Sequence, residues 1–144
     1  MNKYKLVLLG ANETALHIAQ NFYHKYEEPV IICDKKPFFS QDQKTEIISF
    51  LNFDHHAIFI TTLTSLGIEL NQKYEKTFLI ACQEVYANLL NKNRLLLLQH
   101  YQIPYIPIKI NQGNKHITPV DINTVIDNNY YFHNNNNIHC KTKK

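Results

Sequence analysis

An open, mostly parallel α/β sheet of four to five strands with helices on both faces is the fold class that three features of the sequence predict. Short apolar runs recur at residues 6–9, 30–33 and 78–82. Each is too brief for a typical helix and apolar throughout, as strands buried on both faces are. Helical spacing fills the interval between the first two: Ala15, Ile18, Ala19 and Phe22 fall on one face, with Leu16 and Tyr23 beside it. Strand, helix and strand then fit within about thirty residues, the span of a βαβ unit, whose crossover is right-handed.

The first strand, residues 5–9, stops at Gly10, which turns the backbone sharply and lets a ligand come close. Asn12 is the expected N-cap of a helix over residues 13–26, with Glu13 in the first turn, where negative charge is favoured. Free N–H groups at such a helix start bind anions. Glu27, Glu28 and Pro29 stop that helix. The second strand, 30–33, runs into Asp34, Lys35, Lys36 and Pro37, and 38–44 reads as loop. A third strand over 46–53 is expected near an edge. Asp54 then caps a helix to about residue 70, with Ile58, Thr62, Leu66 and Leu70 on one face. A fourth strand covers 76–82, and a helix over 83–91 turns Val85, Leu89 and Leu90 inward. A second helical run, 92–100, holds four consecutive leucines, Leu95 to Leu98. Residues 103–106 are the last strand, and Pro104 and Pro107 place it at an edge or in an extended segment.

From about Lys109 the character changes. Thr118 and Pro119 suit a helix start, and four asparagines run from Asn134 to Asn137. The expected division is a domain over 1–108 and an Asn-rich extension over 109–144 that is partly ordered at most.

A chain of 144 residues with a hydrophobic share of 44% is enough for one domain with a real core. Its net charge of +3 is mild, and no stripe of Lys and Arg is interleaved with aromatics, so no nucleic-acid partner is expected. Cys33, Cys82 and Cys140 form no CxxC pair. An odd number of cysteines without a secretory signal predicts reduced thiols and a cytoplasmic protein. The apolar run after Lys5 ends sooner than a signal peptide's core, and no membrane-length segment follows, so no membrane partner is expected either.

In an open parallel sheet the ligand edge lies beyond the carboxyl ends of the strands. The residues at those ends are Gly10, Ala11 and Asn12, then Asp34, Lys35 and Lys36, then Cys82, Gln83 and Glu84, and the candidate binding residues among them are Gly10, Ala11, Asn12, Asp34, Lys35, Lys36 and Glu84. A dinucleotide fingerprint wants three glycines as GxGxxG, and here only Gly10 is present, although Asp34 stands where an acid would take a ribose. Lys35 and Lys36 offer two cations to a carboxylate or phosphate, or form a solvated loop. Glu84 is suited to a substrate amine, or is an ordinary first-turn helix charge. Cys82 ends a strand, but no histidine is poised to activate it. His55 and His56 are adjacent and diverge, and no HxxxH or HExxH occurs, so no metal site is expected.

Four pieces in order, VLLGANETALHIAQNF, VIICDKKPFFS, KTFLIACQEVYANLLNKNRLLL and IPYI, carry a family resemblance. The stretch 3–106 resembles the N-terminal, pre-ATP-grasp domain of ATP-grasp ligases. It is most similar to that of D-aspartate ligase and of carbamoyl-phosphate-synthase-like carboxylate–amine ligases. In that family the second strand runs into a KxP turn, as Lys35, Lys36 and Pro37 do here, and the fourth leads into an "EY…LL…N" helix. Gln83 and Glu84 stand where members commonly have a small residue and an acid.

The resemblance implies a Rossmann-like domain that lines part of a substrate pocket. The ligases it resembles use ATP and magnesium to turn a carboxylate into an acyl phosphate, which an amine then attacks. Their ATP-binding lysines and metal-binding acids lie in later domains, so this chain is expected to be a truncated ligase, a split subunit or an excised domain. It would be inactive alone, without a cofactor of its own, and would take a small carboxylate or amino acid. Its expected protein partner is a separate ATP-grasp chain or a second copy in a homodimer. A stand-alone nucleotide- or small-metabolite-binding regulatory module is the alternative.

Overall fold

The computed structural model describes residues 2–35, 40, 42–49, 56–104, 108–111 and 114–117. Four strands, β1 (Asn2–Leu9), β2 (Val30–Asp34), β3 (Thr45–Ser49) and β4 (Tyr74–Ala81), form one all-parallel sheet in the order β3-β2-β1-β4. The helices are α1 (Glu13–Tyr26), α2 (His56–Asn71), α3 (Glu84–Lys92) and α4 (Arg94–Leu97). The open parallel α/β class read from the sequence is the fold observed.

Alternation along the central strands divides the core into two layers. Leu6 and Leu8 of β1 face Ala15, Ile18 and Phe22 of α1. Val7 and Leu9 face the opposite way, onto Phe59 and Leu63 of α2 and Tyr86 and Leu90 of α3. Both sets are buried, which is why these strands read as continuous apolar runs rather than alternating ones. The helix α1 has the predicted bounds and inward face, because both ends are capped. The Asn12 Oδ1 accepts from the Ala15 N–H at 2.9 Å, and Glu27 closes the helix at φ 56° with its N–H on Tyr23 O.

The inward faces of α2 and α3 agree with the expected ones at Leu66, Leu70, Leu89 and Leu90 and differ at Ile58 and Val85, with Thr62 only half-buried. On α2 the stripe is Phe59, Leu63, Gly67 and Leu70, while Ile58 is 41% exposed. Gly67 belongs to the buried face because the 98–101 turn presses on it. A methyl group there would stand 2.8 Å from His100 Cβ and 3.0 Å from the Tyr101 ring. On α3 the buried residues are Tyr86, Ala87 and Leu90, and Val85 is 46% exposed. The Tyr86 hydroxyl has a polar partner at the sheet edge that selects this rotation. Residue 54, the expected cap of α2, lies outside the described residues, as do 50–53 of the expected third strand.

Where the last strand, 103–106, is expected, the described residues form isolated bridges at 102 and 104, that of Gln102 running parallel to Phe78 on the outer side of β4, and 105–106 lie outside the described residues. Gln102 donates to Thr77 O at 2.8 Å and accepts from Leu79 N at 3.0 Å. Tyr101 anchors this segment by donating to Leu63 O at 2.6 Å, and Asn71 Nδ2 donates to His100 O at 2.9 Å. Beyond it the chain forms an antiparallel hairpin of β5 (Ile108–Asn111) and β6 (Asn114–Ile117), where the sequence suggested no strands. Alternating Ile108, Lys109 and Ile110 before Gln112 and Gly113 is the sequence signal for it. Residues 118–144 lie outside the described residues.

At the amino end of the sheet sits a buried lysine. Lys5 Nζ donates to Pro29 O at 2.6 Å, lies 3.6 Å from Glu28 Oε1 and stands over the Tyr74 ring. Tyr74 donates to the same Glu28 oxygen at 2.9 Å. Burial pulls the Lys5 ammonium below its ordinary pKa, and the Glu28 carboxylate opposes that pull. The cluster ties the turn before β2 to the middle strand, at the end opposite the expected ligand edge.

Candidate functional site

The chain moves outward from β1 to β2 to β3, then crosses back to place β4 on the other side of β1. The strand order therefore reverses between β1 and β4, and the crevice at their carboxyl ends is where such sheets take ligands. Gly10 forms one wall. Its φ of +108° is open to glycine and strained for other residues. Its N–H donates to Cys33 O at 2.8 Å, and the Cys82 N–H donates to Leu9 O at 2.8 Å, so both neighbouring strand ends are pinned to β1.

Asn12 joins the two sides of the crevice. While its oxygen caps α1, its Nδ2 donates to Cys82 O at 3.0 Å. Gln83 lies across the gap. A methyl group on Gly10 would meet Gln83 Cγ at 3.0 Å, Cδ at 3.1 Å and Oε1 at 3.4 Å. Gln83 occupies the N-cap position of α3 without capping it through its side chain. Glu84, the first residue of α3, is half-buried beside it.

Asp34 is 8% exposed, and its carboxylate is fully engaged. Oδ2 accepts from the Ala11 N–H at 2.7 Å, and Oδ1 accepts from the Lys35 N–H at 2.7 Å and the Tyr86 hydroxyl at 2.6 Å. The Tyr86 hydroxyl in turn accepts from Lys35 N at 3.1 Å. Burial, reinforced by the hydrogen bond to Asp34, pushes the Tyr86 hydroxyl above its ordinary pKa. One carboxylate thus locks the Gly10 turn, the start of the loop after β2 and α3 to one another. Lys35 is exposed at this edge, and Lys36 lies outside the described residues.

The structure brings Gly10, Ala11, Asn12, Asp34, Lys35 and Glu84 to one edge of the sheet. Two further residues of that edge, Gln83 and Tyr86, were not among the expected site residues. Tyr86 was concealed by its helix phase, since Val85 looked like the inward residue. Gln83 stands at the carboxyl end of the fourth strand in the sequence reading too, but it departs from the resembling family there and is not carried over as a binding residue. Cys33 and Cys82 are buried, and burial pushes both thiols up to about 12, which makes them packing groups rather than nucleophiles. A shallow cleft of about 400 Å³ lined by Gln20, Tyr23, His24, Glu27 and Lys44 lies at the far end of α1, away from this edge.

Among the described residues no three His, Cys, Asp or Glu side chains stand together as metal ligands, and no helix is long and apolar enough to cross a membrane. The edge presents the Gln83 amide and the exposed Lys35, while the N–H groups of Gly10 and Ala11 are spent on Cys33 O and Asp34. Comparison of the chain with protein-family models, with curated proteins and with solved structures gives no match.

Proposed function

We propose that this domain is the N-terminal, substrate-side part of an ATP-dependent carboxylate–amine ligase, holding a small carboxylate or amino acid at the β1/β4 edge. The observation that carries the reading is the convergence of three resembling stretches on adjacent strand ends. Gly10, Ala11 and Asn12 end β1, Asp34 and Lys35 end β2, and Gln83 and Glu84 follow β4. In this reading Lys35 supplies positive charge to the substrate carboxylate, and Gly10 and Ala11 shape the turn beside which it sits. Glu84 faces the ammonium group of an amino-acid substrate. Asp34 and Tyr86 touch no substrate and hold these groups in place.

Carboxylate activation consumes ATP with magnesium, and that chemistry belongs to ATP-grasp lobes on the same or a separate chain. No metal-dependent step is assigned to the described residues. Ile58, Ile68, Val85, Leu95 and Leu96 leave apolar side chains exposed on the α2–α4 side, where such a lobe or a second copy would pack. The test is a thermal-shift screen of the full chain against amino acids, dicarboxylates and nucleotides. A rise in Tm with a small carboxylate and none with Mg–ATP is expected. Tight Mg–ATP binding by this chain would contradict the proposal.

The second reading, a stand-alone nucleotide-sensing module, is favoured by one feature: an acid, Asp34, at the end of the second parallel strand. It predicts an adenosine ligand bound at Gly10 and Asp34 without any partner.

A further inference from the structure

We infer that Gln83 sets the size and class of ligand at the β1/β4 crevice, admitting a small carboxylate and shutting out a nucleotide diphosphate. The inference rests on the reading of this edge as a carboxylate site and names the residue that makes it selective.

Two observations carry it. In sheets of this order a dinucleotide's diphosphate passes close over the first glycine of the turn after β1. Here that space is filled, because the Gln83 side chain lies over Gly10 from Cγ to Oε1 at 3.0 to 3.4 Å from the position of a Cβ. The acid that would take the ribose is also spent. Both oxygens of Asp34 are turned into the protein, onto Ala11, Lys35 and Tyr86. Nucleotide binding would require displacing Gln83 and breaking that buried network.

The same geometry offers something to a smaller ligand. Gln83 does not cap its own helix through its side chain. It carries two donors and an acceptor at the mouth of the crevice, between the Gly10 turn and Glu84. An amide there can donate to a carboxylate that fits beside it, with the Lys35 side chain exposed at the same edge.

The test is a ¹H–¹⁵N titration of the full chain with succinate, aspartate and ADP as separate probes. It follows the Gly10 backbone amide in wild type, Gln83→Ala and Gln83→Asn, and the residue-83 side-chain NH₂ pair in wild type and Gln83→Asn. The second variant keeps the amide but withdraws it by one methylene, so the result does not depend on Gln83→Ala folding. Succinate or aspartate is expected to shift both signals, each variant to weaken the better probe at least tenfold, and ADP to shift neither. Carboxylate affinity within twofold of wild type in both variants overturns the role of Gln83 while the carboxylate site stands. Saturable ADP shifts at Gly10 in wild type overturn the selectivity and favour the nucleotide-sensing module. No response at this edge to either carboxylate overturns this inference together with the site on which it rests.

Discussion

Asp34 is the residue on which the carboxyl edge depends most. It satisfies the N–H groups of Ala11 and Lys35 and the hydroxyl of Tyr86 with one side chain. Removing it takes the acceptor from the buried Ala11 N–H and one hydrogen bond each from the Tyr86 hydroxyl and the Lys35 N–H, a lost buried acceptor costing roughly 1–3 kcal/mol. Asp34→Ala is therefore expected to lower stability by about 2–4 kcal/mol, since part of the cost is recovered by water, whereas Tyr86→Phe, which removes one donor and keeps the ring, should cost about 1–2 kcal/mol. Urea unfolding of the two variants checks the ranking, and an Asp34→Ala midpoint equal to wild type would mean that the network does not hold the edge together. Gly10→Ala is the backbone counterpart. A positive φ of 108° and the Gln83 contact together predict a loss of about 1–3 kcal/mol by the same measurement.

Among elements, the helix α2 shows where sequence patterning reaches its end. It is apolar nearly all round, so its phase cannot be read from periodicity alone, and Gly67 decides it by letting the His100–Tyr101 turn press close. The same limit applies to α3, whose inward residue is Tyr86 because a buried carboxylate lies opposite; that partner is 52 residues away in the chain. By contrast β1, α1 and β2 were legible with nearly correct bounds. Their signals are local: unbroken apolar runs, an Asn12 cap, a Gly10 turn and a Pro29 stop. Gly67→Ala separates the two kinds of information. Helix propensity alone favours alanine by about 1 kcal/mol, while overpacking against a fixed neighbour costs about 1–3 kcal/mol. The contact at 2.8 Å to His100 Cβ predicts that overpacking wins and that Tm falls. A raised Tm would show that the 98–101 turn yields freely.

At the scale of the whole molecule the parallel sheet, its two-layered core and the position of its carboxyl edge follow from the order of apolar runs. The contents of that edge do not, because they depend on side chains brought together across three strand ends. The core also determines the alkaline limit of stability. Cys33 and Cys82 are raised from 9.0 to about 12 by burial, and Tyr86 and Tyr101 are raised by the same cause. The unfolded chain releases these protons first, so their contribution is intact below about pH 9 and is lost as pH climbs toward 12. Lys5, lowered by burial, acts with the opposite sign as pH approaches its ordinary value of 10.5, but it is one group against four. The urea midpoint is expected to fall between pH 9 and 11.5, and a midpoint that holds or rises across that interval would refute this balance.

Calorimetric titration of the full chain with aspartate, succinate and Mg–ATP, repeated with Lys35→Glu, tests the central claim most directly. Saturable heat with a small carboxylate, weakened at least tenfold by the charge reversal, and no saturable heat with Mg–ATP is the predicted result. Saturable Mg–ATP binding, or carboxylate binding indifferent to Lys35→Glu, would contradict it.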